Sequence, residues 1–247
     1  MKCENCSEPL NSNFCPACGQ KNVNLSRPLP ELLAEVVTET FDLDGRAART
    51  LKLLFFRPGQ LTHQYLQGQR KKFTPPFRLY LIISVVFFIG AAWIAERGVL
   101  LTGDQTLGTD APQQARFVAE DLPKLMFLLL PAFAGLLKLA FRDRLYFDHL
   151  IHSLHIHCAA YLILALMLPF EQSASSAWPI MLLQLALMGY WLWYFYCSVR
   201  VVYAEGWFAT LMKATALTFA YLMLVAGAFE AASYLSIGEA QVRSLTD

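Results

Sequence analysis

Four cysteines open the chain as two pairs, Cys3-x-x-Cys6 and Cys15-x-x-Cys18, with eight residues between the pairs. Each pair presents two thiolates from one tight turn, and two such turns close a tetrahedron around a zinc ion. Pro16 stiffens the second turn, and Gly19 lets backbone amides approach the sulfurs with no Cβ in the way. Cys3, Cys6, Cys15 and Cys18 are therefore expected to hold a structural zinc in a small ribbon over residues 1–24. The metal would stand in for the hydrophobic core that so short a segment cannot build. Two disulfides are the competing arrangement, but the loop charges place this segment on the reducing side of a membrane. A closed four-thiolate site serves structure or recognition rather than catalysis.

The second group is DHLIHSLHIH, which carries His149, His152, His155 and His157. At ~100° per residue the first three span about 120° of one helix face, and His157 lies about 80° to the other side of His149. His149 and His155 are separated by roughly 9 Å of helix rise, too far to share one ion at bonds of ~2 Å. One ion takes at most an adjacent pair, with further ligands from elsewhere. The remaining histidine, His63, and the acids Asp143, Asp148 and Glu205 make a thin supply of such ligands. Several readings stand open. The histidines bridge helices by hydrogen bonds, sit at headgroup level as pH-sensitive groups, form a proton or ion path, or hold a catalytic second metal. His149, His152 and His155 are the catalytic candidates of that last reading. The chain has no Gly-rich phosphate loop, nucleophile elbow or HExxH.

The elements that must position these groups follow from composition. Of the 247 residues, 56% are hydrophobic and 16% charged, with a formal net charge of +1 and a mean hydropathy of +0.40. That charge gives no basic field for nucleic acid, and the apolar content excludes disorder. Measured against the roughly 20 apolar residues that a bilayer core demands, the sequence predicts five spans, at about 79–95, 122–141, 149–170, 178–202 and 208–235. Together they make a five-helix transmembrane domain over residues 79–247, all-α in class. No apolar run long enough for a cleaved signal occurs in the first 78 residues. Cys158 and Cys197 fall inside apolar runs, which argues against a disulfide scaffold. Lys213 and Glu230 fall within the fifth span, where both are expected to snorkel.

Orientation follows from the basic residues of the loops. Residues 1–78 hold eleven Lys and Arg, and the loops after spans two and four carry Arg142, Arg144 and Arg200. The stretch from Glu96 to Asp121 has two basic residues among five acids, and the loop after span three has none. The N-terminus is thus expected in the cytoplasm and the C-terminus outside. Residues 25–78 read as amphipathic helices: Leu29, Leu32, Leu33, Val36, Val37 and Phe41 recur at helical spacing, and RAARTLKLLFF follows. Pro58 is expected at the first position of a further helix. Such helices either lie on the inner membrane surface or pack on the ends of the spans, with Arg70, Lys71, Lys72 and Arg78 meeting anionic lipid. The rings Tyr190, Trp191, Trp193, Tyr194, Phe195 and Tyr196 read as interface anchors.

Three stretches taken together, the CxxC…CPACGQ opening, RPGQLTHQYLQGQRKKFTPPFRLYLIISVVFF and DHLIHSLHIH, resemble a bacterial membrane family known as domain of unknown function 3667. The resemblance implies a bacterial inner-membrane protein with an N-terminal zinc ribbon, and it supplies no reaction. In layout the chain is also similar to bacterial lipid-transport partner proteins, which couple zinc ribbons to small helical membrane domains. The leading expectation is a non-enzymatic membrane module whose zinc ribbon docks a protein partner or supports envelope transport or assembly. A membrane metalloenzyme acting on a lipid-soluble substrate through the histidines is the first alternative. A proton- or ion-coupled carrier is the second.

Overall fold

Apolar runs of about twenty residues can satisfy their backbone in a bilayer only as helices, and the described residues of this chain form five. The computed structural model describes residues 9, 15–17, 45–95, 117–173 and 178–246. Cys3, Cys6 and Cys18, the stretch Leu29–Phe41 and the loop 101–116 lie outside the described residues. Residues 1–47 and 48–247 are separate compact units. In the first, Cys15 is 3% exposed and is followed by a turn at Pro16 and Ala17.

The second unit is helical. Two short helices, α1 (Arg46–Phe56) and α2 (Gln60–Leu66), precede the long ones. These are α3 (Pro76–Ala95), α4 (Leu122–Ala140), α5 (Tyr146–Met167), α6 (Trp178–Tyr203) and α7 (Trp207–Thr246). Among the described residues, five helices are long and apolar enough to cross a membrane: Pro76–Ala95, Val118–Ala140, Tyr146–Phe170, Trp178–Tyr203 and Trp207–Ala231. The chain is a multi-pass membrane protein. The expected spans recur with shifted ends. The first starts three residues early, where Pro76 suits the opening turn of a helix because no earlier carbonyl needs its missing N–H. The last continues as one helix to Thr246, well past its apolar stretch.

Helix α5 is the centre of the unit. Its span is 61% buried, against 11% for that of α6 and 17% for that of α7, and it packs against α3, α4, α6 and α2. The outer helices bury only a seam and turn apolar side chains outward, which lipid covers at no hydrophobic cost. Exposed aromatic rings mark both ends. Phe56, Phe77, Phe147, Trp207 and Phe208 crowd the end where α5 begins, and Trp93 and Trp178 stand at the other. Such belts sit at headgroup level.

The short helices belong to the bundle core. Leu54 of α1 and Leu61 of α2 share one buried cluster with Tyr80, Leu154 and Tyr194. The amide of Thr74 donates to Thr50 Oγ1 at 3.1 Å, which fastens the start of α1 to the extended approach to α3. Pro58 does not open α2 as expected; it lies in the turn before it, because the chain reverses at Gly59 with φ of +75°. The aromatic run of α6 is also not a simple anchor belt. Tyr194 and Phe195 are buried, Trp191 stacks on Tyr194 at 5.9 Å, and the Tyr190 hydroxyl donates to the carbonyl of Phe55. Trp193 alone of that group turns strongly outward, at 52% exposure. A helix brings the rings round to several faces, so those that meet α1 and α5 are taken into the core.

Candidate functional site

The polar chemistry inside the bundle gathers on α5. His149, His152, His155 and His157 are each no more than 5% exposed, so their side chains are buried within the protein. A turn stapled by one lysine leads into the helix: Lys138 Nζ donates to the carbonyls of Arg142 at 2.7 Å and Arg144 at 2.6 Å. Arg144 Nη2 in turn donates to the carbonyl of Val202 at 2.8 Å, satisfying an acceptor at the end of α6 that no later turn of helix reaches.

Each histidine finds a hydroxyl on another helix. His149 Nδ1 and His152 Nδ1 lie 2.8 and 3.2 Å from the same Tyr203 hydroxyl. His152 Nε2 is 2.9 Å from Ser198 Oγ. Ser198, His152, Tyr203 and His149 thus form one continuous chain of hydrogen bonds between α6 and α5. His155 Nδ1 is 2.9 Å from Thr62 Oγ1 on α2. His157 Nε2 is 2.7 Å from the Tyr221 hydroxyl on α7, and His157 Nδ1 is 2.8 Å from the carbonyl of Ser153. The angular arithmetic is reproduced: the first three histidines serve one side of α5, and His157 serves the opposite neighbour.

Packing holds these partners in place. The Tyr203 ring stacks on Phe141 with centroids 3.8 Å apart, and Arg144 lies 5.8 Å from its centroid. Phe133 meets His157 edge-on at 5.6 Å. Gly59 lets α2 approach α6 at the level of Ser198; a Cβ there would stand 2.7 Å from the Ser198 carbonyl oxygen. Two ring nitrogens, His149 Nε2 and His155 Nε2, are buried with no hydrogen-bond partner. Among the described residues, no three His, Cys, Asp or Glu side chains are grouped to hold a metal ion.

The basic cluster lies at the start of α3. Arg70 and Lys72 are exposed in a 3-10 turn, with Arg70 5.7 Å from the Tyr65 centroid and Lys72 Nζ donating to Gln69 Oε1 at 3.3 Å. The side chain of Lys71 lies outside the described residues. Arg78 is half-buried in the first turn of α3. Lys213 reaches back along α7 to Glu205 Oε1 at 2.5 Å and over the Phe141 ring at 4.6 Å, as a snorkelling lysine does.

Gly59, Thr62, Ser198, Tyr203 and Tyr221 complete the site, and sequence reasoning did not single them out for it. Ser198 and Thr62 did carry a signal, since each is a small hydroxyl inside an otherwise apolar helical face.

Residues 44–88 match the model of a family described as protein of unknown function (DUF3667). The match supports the resemblance and covers the segment that holds Gly59, Thr62, Arg70, Lys71, Lys72 and Arg78. Comparison with curated proteins and with solved structures returned no match.

Proposed function

We propose that this protein is a non-enzymatic scaffold of the bacterial inner membrane, whose cytoplasmic N-terminal module docks a protein partner. The observation that carries the reading is the pairing of all four bundle histidines with hydroxyls of α2, α6 and α7. Those bonds commit at least one nitrogen of each ring to fixing helices, including a short helix that follows the N-terminal module in the chain. Cys3, Cys6, Cys15 and Cys18 hold a structural zinc in that module. A buried Cys15 followed directly by a turn suits a thiolate pair closing on one ion. Arg70, Lys71, Lys72 and Arg78 meet the anionic inner surface, next to the exposed rings Phe56 and Phe77.

The test is metal content per chain of detergent-purified protein, wild type beside the variant with Cys3, Cys6, Cys15 and Cys18 all changed to Ser. One zinc in the wild type and none in the variant is the expected result. A second reading, a membrane metalloenzyme acting on a lipid-soluble substrate, draws on the unpartnered Nε2 atoms of His149 and His155. Metal retained by the variant would favour it and overturn the scaffold reading.

A further inference from the structure

Helices α4, α5, α6 and α7 line an open-sided cavity of about 330 Å³, within the ~300–1,000 Å³ range of small-molecule pockets. Phe133, Trp191 and Phe195 give it aromatic walls, and Met126, Met167 and Met188 give it adaptable ones. Among the described residues none that lines it is charged, and its polar groups are His157, Thr218 and the hydroxyls of Tyr161 and Tyr221. The Tyr161 hydroxyl is itself buried, which leaves the others to face an occupant.

The proton positions of those groups follow from their partners. The Ser153 carbonyl can only accept, so His157 Nδ1 carries the hydrogen of their 2.8 Å bond. In a neutral ring, which the uncharged surroundings demand, His157 Nε2 is then an acceptor. The Tyr221 hydroxyl must donate across the 2.7 Å contact. Thr218 Oγ1 donates to the carbonyl of Ala214 at 2.9 Å. Both hydroxyl protons at the wall are therefore committed, and what Tyr221 and Thr218 have left to offer is lone pairs. Their spacing of three residues puts the two oxygens on one face of α7.

We infer that this cavity binds a neutral long-chain lipid bearing a hydroxyl group, whose O–H donates to Tyr221 or Thr218 while its chain lies among the aromatic and methionine walls. Among the described residues, a ligand with only acceptors finds no accessible donor, since the unpartnered Tyr161 hydroxyl has no open surface, and a charged one finds no counter-ion. The larger hollow of about 600 Å³ lined by α3 and α4 offers one serine hydroxyl of this kind, Ser84, whose proton goes to the carbonyl of Leu81, rather than two such oxygens on one helix face.

The experiment uses the full chain in detergent micelles and a twelve-carbon primary alcohol carrying a diazirine on its chain, with labelled residues mapped by mass spectrometry. Labelling is expected on Leu187, Trp191 and Val225, which line the cavity. Unlabelled 1-dodecanol should compete about tenfold better than its methyl ether, the worth of one hydrogen bond. That preference should shrink in Thr218→Val and in the double variant Tyr221→Phe/His157→Leu, which removes the Tyr221 acceptor without freeing the lone pair of His157 Nε2. Equal competition by the ether, which would mark a mere acyl-chain pocket, overturns the inference. So does labelling spread over the outward-facing Leu192, Trp193 and Met223, or a preference unchanged in both variants.

Discussion

Gly59 rests on the backbone of Ser198, with no room for a side chain between them: an added Cβ would lie 2.7 Å from the Ser198 carbonyl oxygen and 2.9 Å from its Cα. The contact is backbone against backbone, so no flexible group can move aside. Gly59 also has φ of +75°, a conformation that side chains disfavour. The consequence is a hinge-free joint at which α2 enters the bundle beside the Ser198–His152 bond.

Gly59→Ala should therefore be much worse than the same change at another left-handed glycine. Gly68 has φ of +91°, but a methyl group added there would meet nothing within 4 Å, so Gly68→Ala carries only the conformational cost of about 1–2 kcal/mol. Gly59→Ala adds a steric clash that can be relieved only by lifting α2 from α6. Thermal unfolding of both variants in one detergent should rank Gly59→Ala clearly below Gly68→Ala. Equal midpoints would mean that the approach of α2 to α6 contributes nothing.

Thr62 ties the same short helix to α5. Thr62→Val removes the one hydrogen bond that His155 makes, leaving both ring nitrogens of a buried histidine unpartnered. The expected loss is about 1 kcal/mol, the usual size for such bonds between membrane helices being ~0.6 to 2 kcal/mol. In a His155→Leu background the same Thr62→Val change should cost little, because the bond is already gone. A full loss in that background would place the effect of Thr62 elsewhere.

What the sequence made legible was set by physical range. Span positions follow from local length and hydropathy, and the separation of His157 from the other three histidines follows from helix geometry alone. The partners were not legible, because Thr62 and His155 are 93 positions apart and Tyr221 and His157 are 64 apart. Nothing local links a hydroxyl in one apolar run to an imidazole in another; packing alone selects the pair. The aromatic run of α6 misled for a related reason. Residue type said interface, but Tyr194 and Phe195 fall on the face that α6 turns inward. The turn at Gly59 was hidden by Pro58, which suits a helix start, while the left-handed turn and the close approach of Ser198 both call for a glycine after it.

The link between α6 and α7 contains the one positive-φ residue other than glycine among the described residues, Ala204 at φ of 56°. Its amide donates to the Arg200 carbonyl at 3.0 Å, closing the end of α6 in the way a left-handed helix terminus does. Glycine is favoured at such a position because alanine brings a Cβ against the following carbonyl. Ala204→Gly should raise the midpoint of thermal unfolding, by an amount equivalent to about 1 kcal/mol. A lowered midpoint would show that the unfolded-state entropy of the added glycine outweighs the relieved strain.

Tyr203 and Tyr221 offer a comparison between one hydroxyl serving two histidines and one serving a single histidine. The Tyr203 oxygen lies within 2.8 Å of His149 Nδ1 and 3.2 Å of His152 Nδ1, so it donates to one ring and accepts from the other. Tyr203→Phe keeps the ring stacked on Phe141 but strands the Nδ1 nitrogens of two buried histidines. His149 is the more sensitive to this loss, since its Nε2 already lacks a partner. Tyr221→Phe strands only His157 Nε2, because His157 Nδ1 keeps its bond to Ser153. Each stranded buried group costs about 1–3 kcal/mol, less where a membrane-embedded reference state finds other partners. Tyr203→Phe should therefore lower the unfolding midpoint roughly twice as far as Tyr221→Phe, at unchanged insertion of the spans. If Tyr221→Phe were the more damaging, the His149–Tyr203–His152 chain would not be what holds α6 to α5, and the cavity beside Tyr221 would become the stability-determining part of the bundle.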